Sequence, residues 1–482
     1  MNYELPAPTL NYVRQHADED VRLVALRGCK DPDVDLTLAL QQIQGRQTAR
    51  TKLPTWTAID GIVYPPHLNL EQCSSEQTAR YKAALCRRLL TKPPEFLDKP
   101  SGKAGRGGWG AEQLSNSKSS NSKLLDLTGG FGVDFAFMQE AFDEATYVEL
   151  NPQLFAIATA NFHTLGLNVS CHNTDAVSFL KSLPKRERTE ELGGEKASPN
   201  WGRLEGALIF LDPARRDSHG QRTYGIADCT PDVLALKDEL LQKAVYVLLK
   251  LSPMLDWRKA VTDLGPQNVR EVHIVSVRNE CKELLILLSA IIETPPTLHC
   301  VNDDDTFTLH CVNDGDTFSI ALPPPSPLSS LLQFAAIASP PSLPPSPPSL
   351  PPSPLPLEDS GKAFLLEPNA SIMKAGCFDA LAARFSVTPL SHDSHLFISP
   401  HLIEGFPGRQ FLISATSSLN KRDLKTALRD ITRANITTRN FPLSAPALRQ
   451  RLKLADGGDT YIFATTLADN THILLICKKL PS

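Results

Sequence analysis

A glycine-rich turn and two acidic residues form the stretch of sequence best suited to holding a small ligand. Asp126 ends a short apolar run, Gly129, Gly130 and Gly132 follow it, and Glu149 ends a second apolar run after a helical pattern. Glycines permit backbone angles with positive φ and a close approach to a ligand. An acid at the end of the second strand can accept hydrogen bonds from a ribose diol. The pattern predicts a strand, turn, helix and strand that bind a nucleoside.

The spacing of these glycines separates two classes of nucleoside cofactor. The dinucleotide fingerprint requires G-x-G-x-x-G at the start of a helix, and the run DLTGGFG (residues 126–132) lacks the third glycine of that pattern. An acidic strand end followed by clustered glycines resembles instead the first motif of class I S-adenosylmethionine-dependent methyltransferases. An ordinary strand–turn–helix connection without a ligand is the alternative that the glycines alone leave open.

The elements around this turn predict an α/β sheet. Apolar patterns predict helices over 152–166, 177–180 and 231–243, and strands over 169–171, 207–211, 245–251, 272–277 and 284–288. Parallel strands need long crossovers, whereas only a tight turn at Asn279 separates the last two strands. We therefore expect a parallel, Rossmann-like sheet with one antiparallel strand hairpin at its end, which class I methyltransferases have and dinucleotide-binding folds lack. Open α/β sheets bind ligands at the carboxyl ends of their strands. Here those ends carry Asp126, Glu149, Asp175 and Asp212.

The fourth of these strands ends in LDPARRD (residues 211–217), which could act on a nucleic-acid base. Nucleic-acid methyltransferases commonly carry Asn or Asp, Pro, Pro and an aromatic residue here, but Ala214 and Arg215 replace the second proline and the aromatic. The Asp-Pro-x-Arg form of Asp212, Pro213 and Arg215 looks more like that of some tRNA and rRNA methyltransferases acting on ring atoms. There a carboxylate takes or orients a proton, and an arginine holds phosphate or base. Pairing of the arginines with surface acids is the structural alternative.

The rest of the chain divides by composition. Residues 1–92 predict short amphipathic helices, with polar loops at 45–56 and 64–68. Three biased segments, at 92–123, 185–203 and 323–356, are too polar or proline-rich to bury a core, and the last should be an extended polyproline II spacer. Residues 297–307 are repeated almost unchanged at 308–318, which indicates a duplicated strand and turn. The His and Cys spacing in this repeat matches no standard zinc or calcium site, so we expect no metal.

Composition and charge place the protein in a broad class. The 482 residues carry a net charge of −4, but residues 413–482 hold 11 Lys and Arg against 5 Asp and Glu. A basic C-terminal segment suggests an anionic partner. The 10 cysteines show no pattern of paired spacings, the chain has no run long and apolar enough for a membrane span, and it begins without a charged and apolar leader pattern. We expect a cytoplasmic protein without a membrane partner.

As a whole the sequence resembles a family of bacterial class I methyltransferase proteins with an N-terminal helical region, a ferredoxin-like domain and a C-terminal THUMP-like domain. The resemblance implies a helical domain over 1–92, a methyltransferase domain over 124–292 after an insertion at 93–123, a ferredoxin-like domain over 293–412 interrupted at 323–358, and a THUMP-like domain over 413–482. It is carried by QGRQTARTKLP (44–54), CSSEQTARYKA (73–83), DLTGGFGVD (126–134), LDPARRD (211–217), KLSPMLD (250–256), VSVRNECKEL (275–284), EPNASIMKAG (367–376), FPGR (406–409) and RNFPL (439–443).

The resemblance also assigns roles to the site residues. Asp126, Thr128 and the backbone of Gly129, Gly130 and Gly132 would face the amino acid part of S-adenosylmethionine. Glu149 would bind the ribose and Asp175 the adenine amine. Methyl transfer is an in-line displacement that gains rate from alignment, so proton removal is the extra task. Asp212 is the candidate for it.

The THUMP-like domain implies an RNA partner, because THUMP domains are associated with tRNA-modifying enzymes. Helical spacing places most of a basic set on one face, where it could neutralise phosphates. The set consists of Lys421, Arg422, Lys425, Arg429 and Arg433, with Arg439 adding to the field. The sequence therefore predicts an S-adenosylmethionine-dependent methyltransferase acting on a base of tRNA or rRNA. A catalytically inactive RNA-binding or assembly protein on the same scaffold, and a small-molecule methyltransferase, are the alternatives.

Overall fold

The computed structural model describes residues 5–91, 122–183, 207–214, 225–290, 296–303, 305–314, 317–321 and 363–480. The biased segments at 185–203 and 323–358 lie outside these residues, as does most of the one at 93–123; Lys123, however, is the first residue of strand β1. The chain forms two compact units. One contains Met1–Val277 and Lys282–Pro296, and the other Arg278–Cys281 and Thr297–Ser482. Among the described residues, no helix combines the length and apolar character that crossing a bilayer requires.

Within residues 5–91, six helices precede the first strand. Aspartates begin two of them, because the side chain of Asp20 accepts hydrogen bonds from the first backbone N–H groups of α2, and Asp35 from one of α3. The predicted loop at 45–56 is wrong: α3 continues to Lys52, and α4 follows after a single residue. Gly45 lies inside α3 and is buried there. The helices are α1 (Ala7–His16), α2 (Val21–Arg27), α3 (Leu36–Lys52), α4 (Pro54–Thr57), α5 (His67–Gln72) and α6 (Glu76–Thr91).

The first unit contains a seven-stranded sheet among its described residues, in the order β3-β2-β1-β4-β5-β7-β6. Strands β1 to β5 pair in parallel, and β7 pairs with β5 antiparallel. The predicted α/β sheet with a reversed last strand is confirmed. Its strands are β1 (Lys123–Asp126), β2 (Glu144–Glu149), β3 (Ser170–Asn173), β4 (Ala207–Leu211), β5 (Tyr246–Leu251), β6 (Val269–Val277) and β7 (Glu280–Ser289). Its helices are α7 (Val133–Met138), α8 (Pro152–Thr164), α9 (Ala176–Ser182), α10 (Val233–Lys243) and α11 (Trp257–Leu264).

The second unit begins with a meander that the tandem repeat forms. Strands β8 (Thr297–Asn302), β9 (Asp305–Asp314) and β10 (Thr317–Ala321) pair antiparallel in sequence order. Each 11-residue copy contributes to two consecutive strands of this meander, in agreement with the duplication of a strand-forming segment.

Over residues 363–480, a second sheet of seven strands has the order β12-β13-β11-β14-β17-β16-β15. The predicted boundary between residues 412 and 413 falls inside β14, which pairs with β11 on one side and β17 on the other. The elements are β11 (Ala363–Pro368), α12 (Ala370–Ala375), α13 (Phe378–Phe385), β12 (Thr388–Pro389), β13 (Phe397–Ser399), β14 (Gly408–Ser417), α14 (Lys421–Ala427), β15 (Asn435–Arg439), α15 (Ala445–Leu452), β16 (Thr460–Thr466) and β17 (His472–Lys479).

The close packing of α3 against Tyr64 depends on Gly45. A Cβ atom at position 45 would lie 2.4 Å from the Tyr64 Cβ. We therefore expect Gly45→Ala to lower the free energy of unfolding by about 1–3 kcal/mol through overpacking, although alanine favours helix. Urea denaturation measures the change. Gln44→Ala, exposed on the same helix, is the control, and equal stability of the two variants would contradict the role assigned to this contact.

Candidate functional site

The glycine turn lies between β1 and α7 at the carboxyl end of the first sheet. Gly132 has φ +83°, a conformation that favours glycine, and an added Cβ there would lie 2.5 Å from the Phe162 ring. At Gly129 an added Cβ would lie 1.9 Å from the Tyr147 ring. These two glycines are thus required by aromatic side chains of the protein itself. From the sequence we expected positive φ and a close approach to a ligand, but not these contacts with aromatic rings.

Glu149 joins the end of β2 to this turn. Its Oε2 accepts a hydrogen bond from the Gly130 N–H at 2.7 Å, and its Oε1 accepts one from the Asn151 N–H at 2.7 Å. Tyr147 fixes the same turn by donating its hydroxyl proton to the Gly130 carbonyl at 2.6 Å. A carboxylate has about four lone-pair sites, so Glu149 can still accept hydrogen bonds from a ribose diol. The half-buried carboxylate fits the expected cofactor role.

The other predicted cofactor residues occupy different environments. Asp126 is 1% exposed, and its carboxylate accepts the Thr128 N–H at 3.0 Å. Burial raises the pKa of Asp126 well above its usual value, against that hydrogen bond. The Thr128 hydroxyl accepts the Asp212 N–H at 2.6 Å and thereby ties the turn to the end of β4. Asp175 caps α9 through the Ser178 N–H at 2.8 Å.

A buried network of charged side chains lies beside Asp212. The Lys250 ammonium is 2.5 Å from Asp212 Oδ2 and 3.4 Å from Asp134 Oδ2. The fully buried Lys82 ammonium lies 3.1 Å from Asp134 Oδ1 and also pairs with Glu283. These two lysines and three carboxylates connect α6, α7, β5, β7 and the end of β4 in one site.

The network is held by hydrogen bonds as well as by charge. The Ser74 hydroxyl is 2.7 Å from Asp134 Oδ2 and 2.9 Å from Glu283 Oε1. Burial by itself would raise the pKa of Asp134, but Lys82, Lys250 and Ser74 hold it below its usual value. Burial opposes the charge of Lys250, yet the neighbouring carboxylates, Asp212 foremost, raise its pKa well above the ordinary value. Asp134 and Lys250 are therefore charged at neutral pH.

Asp212 is the most exposed member of this network. Its side chain is 40% exposed, against 10% for Lys250 and Asp134. Pro213 is buried beside it, and Arg215 lies outside the described residues. Asp212 alone among the network carboxylates can therefore meet a ligand from solvent while its charge is balanced from inside.

The sequence analysis missed Ser74, Lys82, Asp134, Lys250 and Glu283 as site residues. A signal was present, because Lys250 interrupts the apolar strand YVLLKL and Glu283 directly precedes the apolar run LLILL in β7. A charge within a buried strand requires a partner. All five residues lie in the stretches that carry the family resemblance.

The predicted basic face is only partly formed. The helix α14 ends at Ala427, so the expected helical face is wrong for Arg429 and Arg433. Arg433 donates hydrogen bonds to the Asp456 carbonyl. Arg439 lies 3.2 Å from Glu367, a carboxylate 3% exposed that Arg409 also binds.

Four of the predicted basic side chains are exposed and form no ion pair among the described residues. They are Lys421, Arg422, Lys425 and Arg429. An exposed cation without an acidic partner can neutralise a phosphate without first breaking an ion pair.

Substitution of Lys82 tests whether the buried charge network stabilises the fold. We expect Lys82→Met to lower the free energy of unfolding by about 3–5 kcal/mol, because it leaves Asp134 and Glu283 buried without a counter-charge. Thermal or urea denaturation measures the loss. Lys259→Met removes an exposed ion pair with Asp263 and should change stability by about 1 kcal/mol or less. A similar small effect of both substitutions would show that the network does not hold the fold.

Comparison with known families identifies the domains of the second unit. A family described as THUMP domain-like matches residues 408–479, and a family described as a ferredoxin-like domain matches residues 364–407. No curated protein matches the sequence. The two matched domains share one continuous sheet, because β11 of the ferredoxin-like part pairs with β14 of the THUMP-like part.

Solved structures resemble all or part of the chain. A candidate methyltransferase from Porphyromonas gingivalis W83 is 26% identical, with all of both chains covered and a TM-score of 0.68. A S-adenosylmethionine-dependent methyltransferase from Agrobacterium tumefaciens is 17% identical over 46% of this chain and 64% of its own, with a TM-score of 0.26. A candidate RNA methyltransferase from Pyrococcus horikoshii is 11% identical over 51% of this chain and 98% of its own, with a TM-score of 0.30. Only the first of these three likenesses is close enough to inform the whole chain.

Proposed function

We propose that this protein is an S-adenosylmethionine-dependent methyltransferase that modifies a base of tRNA or rRNA. The proposal is supported by the class I methyltransferase fold and by the ferredoxin-like and THUMP-like domains that follow it. The observation that carries the proposal is the junction of Glu149, the glycine turn and Asp212. The Gly130 N–H donates a hydrogen bond to the Glu149 carboxylate at 2.7 Å, and the Asp212 N–H donates one to the Thr128 hydroxyl at 2.6 Å. One turn thus joins the proposed cofactor acid to the proposed catalytic acid.

The residues of the turn would bind the cofactor through hydrogen bonds and close backbone contacts rather than through ion pairs. Glu149 would accept hydrogen bonds from the ribose, and the backbone from Gly129 to Gly132 would border the amino acid part. Asp126 is buried under the turn, so we assign it to shaping the turn through the Thr128 N–H rather than to direct contact. Asp175 would reach the adenine amine from the start of α9. The bound cofactor would supply the electrophilic methyl group on its sulfonium.

Asp212 would orient the target base. Its carboxylate is bound by the Lys250 ammonium at 2.5 Å, and this contact holds the carboxylate in one orientation. A carboxylate held in this way accepts a hydrogen bond from a base N–H and aligns the attacking atom with the methyl group. Pro213 would fix the direction of the turn, and Arg215 would contact phosphate or base.

The THUMP-like domain and its exposed cations support RNA as the substrate. Lys421, Arg422 and Lys425 lie on α14, and Arg429 follows it. Cations of this kind bind the nucleic-acid backbone without reading sequence. We assign no direct RNA contact to Arg433 and Arg439, although they belong to the predicted basic set, because both already bind protein groups.

Cofactor binding tests the first part of the proposal. Isothermal titration calorimetry should show that the wild-type protein binds S-adenosylmethionine and that Glu149→Gln weakens this binding about tenfold, the loss expected for a charge-assisted hydrogen bond to the ribose. Glu144→Gln, at the exposed start of β2, is the matched control. No binding by a folded wild-type protein would exclude the proposed function.

Methyl transfer tests the second part. RNA from cells without the gene should gain one methylated nucleoside in mass spectrometry after incubation with the wild-type protein and cofactor. We expect Asp212→Asn to keep cofactor affinity and to slow transfer by about 10²-fold or more, whereas Asp263→Asn, at a partly exposed position of α11, should have no effect. RNA binding without any new methylated nucleoside would favour an inactive RNA-binding protein. Equal loss of cofactor binding and transfer in Asp212→Asn would contradict its assigned role.

A further inference from the structure

A cavity of about 640 Å³ lies among the N-terminal helices and α8, apart from the proposed cofactor site. Its lining includes Ala160, His163 and Thr164, at the C-terminal end of α8. Glu149 lies just before the N-terminus of the same helix. At about 1.5 Å per residue, the 13 residues of α8 separate the two places by roughly 18 Å. The cavity has a volume within the usual range of small-ligand sites.

The floor of the cavity is a short extended segment that two buried amides hold in place. Gln42 of α3 accepts the Tyr64 N–H at 2.8 Å and donates to the Tyr64 carbonyl at 2.9 Å. Asn161 of α8 accepts the Val63 N–H at 2.8 Å and donates to the Val63 carbonyl at 2.8 Å. Buried amides that are fully hydrogen-bonded fix a backbone in one position. The cavity wall is therefore pre-formed.

Three arginines line this cavity. Arg46 and Arg50 follow Gln42 at intervals of four residues and so share one face of α3, and Arg14 comes from α1. Arg14 and Arg50 form exposed ion pairs with Asp60 and Asp18, contacts that contribute little to stability.

Arg46 differs from the other two arginines. Its guanidinium donates to the Thr57 carbonyl at 3.2 Å, and it has no carboxylate partner among the described residues. With three arginines and two aspartates, the wall carries an excess positive charge.

Tyr64 belongs to the same wall and carries a buried hydroxyl. Tyr64 lines the cavity and is 2% exposed, and its hydroxyl has no hydrogen-bond partner within the described part of the chain. Burial raises the pKa of Tyr64 to about 12, against the opposing charges of Arg46 and Arg50, so the hydroxyl keeps its proton. A buried hydroxyl without a partner lowers stability, and an acceptor on a ligand would remove that penalty.

We propose that this cavity binds a nucleotide through its phosphate. Guanidinium groups bind phosphate oxygens in a planar, bidentate geometry, and Arg46 is the one available without breaking an ion pair. The carboxylates of Asp18 and Asp60 at the rim can accept hydrogen bonds from sugar hydroxyls, and the apolar wall that includes Val13 can contact the base. A nucleotide has groups that could contact the arginines, the aspartates and the apolar surface of the wall, whereas an inorganic anion could bind only the arginines. The phosphate is either that of a free nucleotide or that of a nucleotide within an RNA strand.

Calorimetry without S-adenosylmethionine tests this site independently of methyl transfer. The full-length protein is titrated with nucleoside monophosphates of each base, with the corresponding nucleosides, and with a short single-stranded RNA. We expect binding of a monophosphate or of the RNA, and binding at least tenfold weaker for nucleosides that lack phosphate. Binding of a free monophosphate would identify a nucleotide site, and binding of RNA alone would identify a site for an RNA phosphate.

Substitutions in the cavity wall test whether the ligand binds in this cavity. Arg46→Gln and Arg50→Gln should each weaken it by about tenfold, whereas Arg22→Gln, exposed on α2 and outside the cavity lining, should not. Tyr64→Phe keeps the ring and removes the hydroxyl, and should weaken binding by a smaller factor. Melting curves confirm that each variant is folded; if Arg46→Gln unfolds, the exposed Arg50 decides the result.

Three outcomes would overturn the proposal. The first is a folded wild-type protein that binds none of the phosphate-bearing probes. The second is binding that does not change in Arg46→Gln and Arg50→Gln. The third is displacement of the nucleotide by S-adenosylhomocysteine, which would place it in the cofactor site. Failure of the protein to bind S-adenosylmethionine or to transfer methyl groups would leave the cavity proposal intact.

Discussion

The ion pairs of Lys82 are the contacts on which the first unit depends. This lysine lies on α6, a helix that precedes the whole sheet in sequence, and its ammonium is fully buried between Asp134 of α7 and Glu283 of β7. Removing an ammonium and two carboxylates from water is costly, and their mutual attraction offsets that cost only when the geometry is maintained. The network therefore favours one arrangement of the N-terminal helices on the sheet. Through Ser74 and Lys82, the segment that precedes the sheet contributes directly to this network.

The same network reaches the proposed chemistry through Lys250. Lys250 contacts Asp134 on one side and Asp212 on the other, so the most exposed carboxylate of the network is continuous with the most buried charges. Thr128 makes a second connection, from the glycine turn to the backbone of Asp212. A displacement of α6 would change the position of Asp212 without any direct contact between them. Such rigidity suits a reaction whose rate depends on alignment.

The second unit uses its charges differently. Glu367 is buried and paired with Arg409 and Arg439, so one of the arginines that the sequence analysis assigned to RNA stabilises the sheet instead. The cations of α14 have no such partners among the described residues and remain on the surface. The ferredoxin-like and THUMP-like parts form one sheet, so a cut between them would remove the pairing of β11 with β14. Charge counts along the sequence could not distinguish arginines that pair with a buried acid from cations that stay on the surface, because a sequence does not show which cations contact a buried acid.

The sequence by itself determined the fold class, the alternation of helices and strands, the reversed last strand and the order of the strand-end acids. These features depend on local apolar period and on the length of the connections, both of which can be read along the chain. The sequence did not show why position 45 inside a helix must be glycine, because the side chain that leaves no room there, Tyr64, lies on another segment. It also did not reveal the partners of Lys82 and Lys250, which come from residues distant in the chain. Only the tertiary structure decided these points, because the free energy of a buried charge or of a close contact depends on what lies across the space from it.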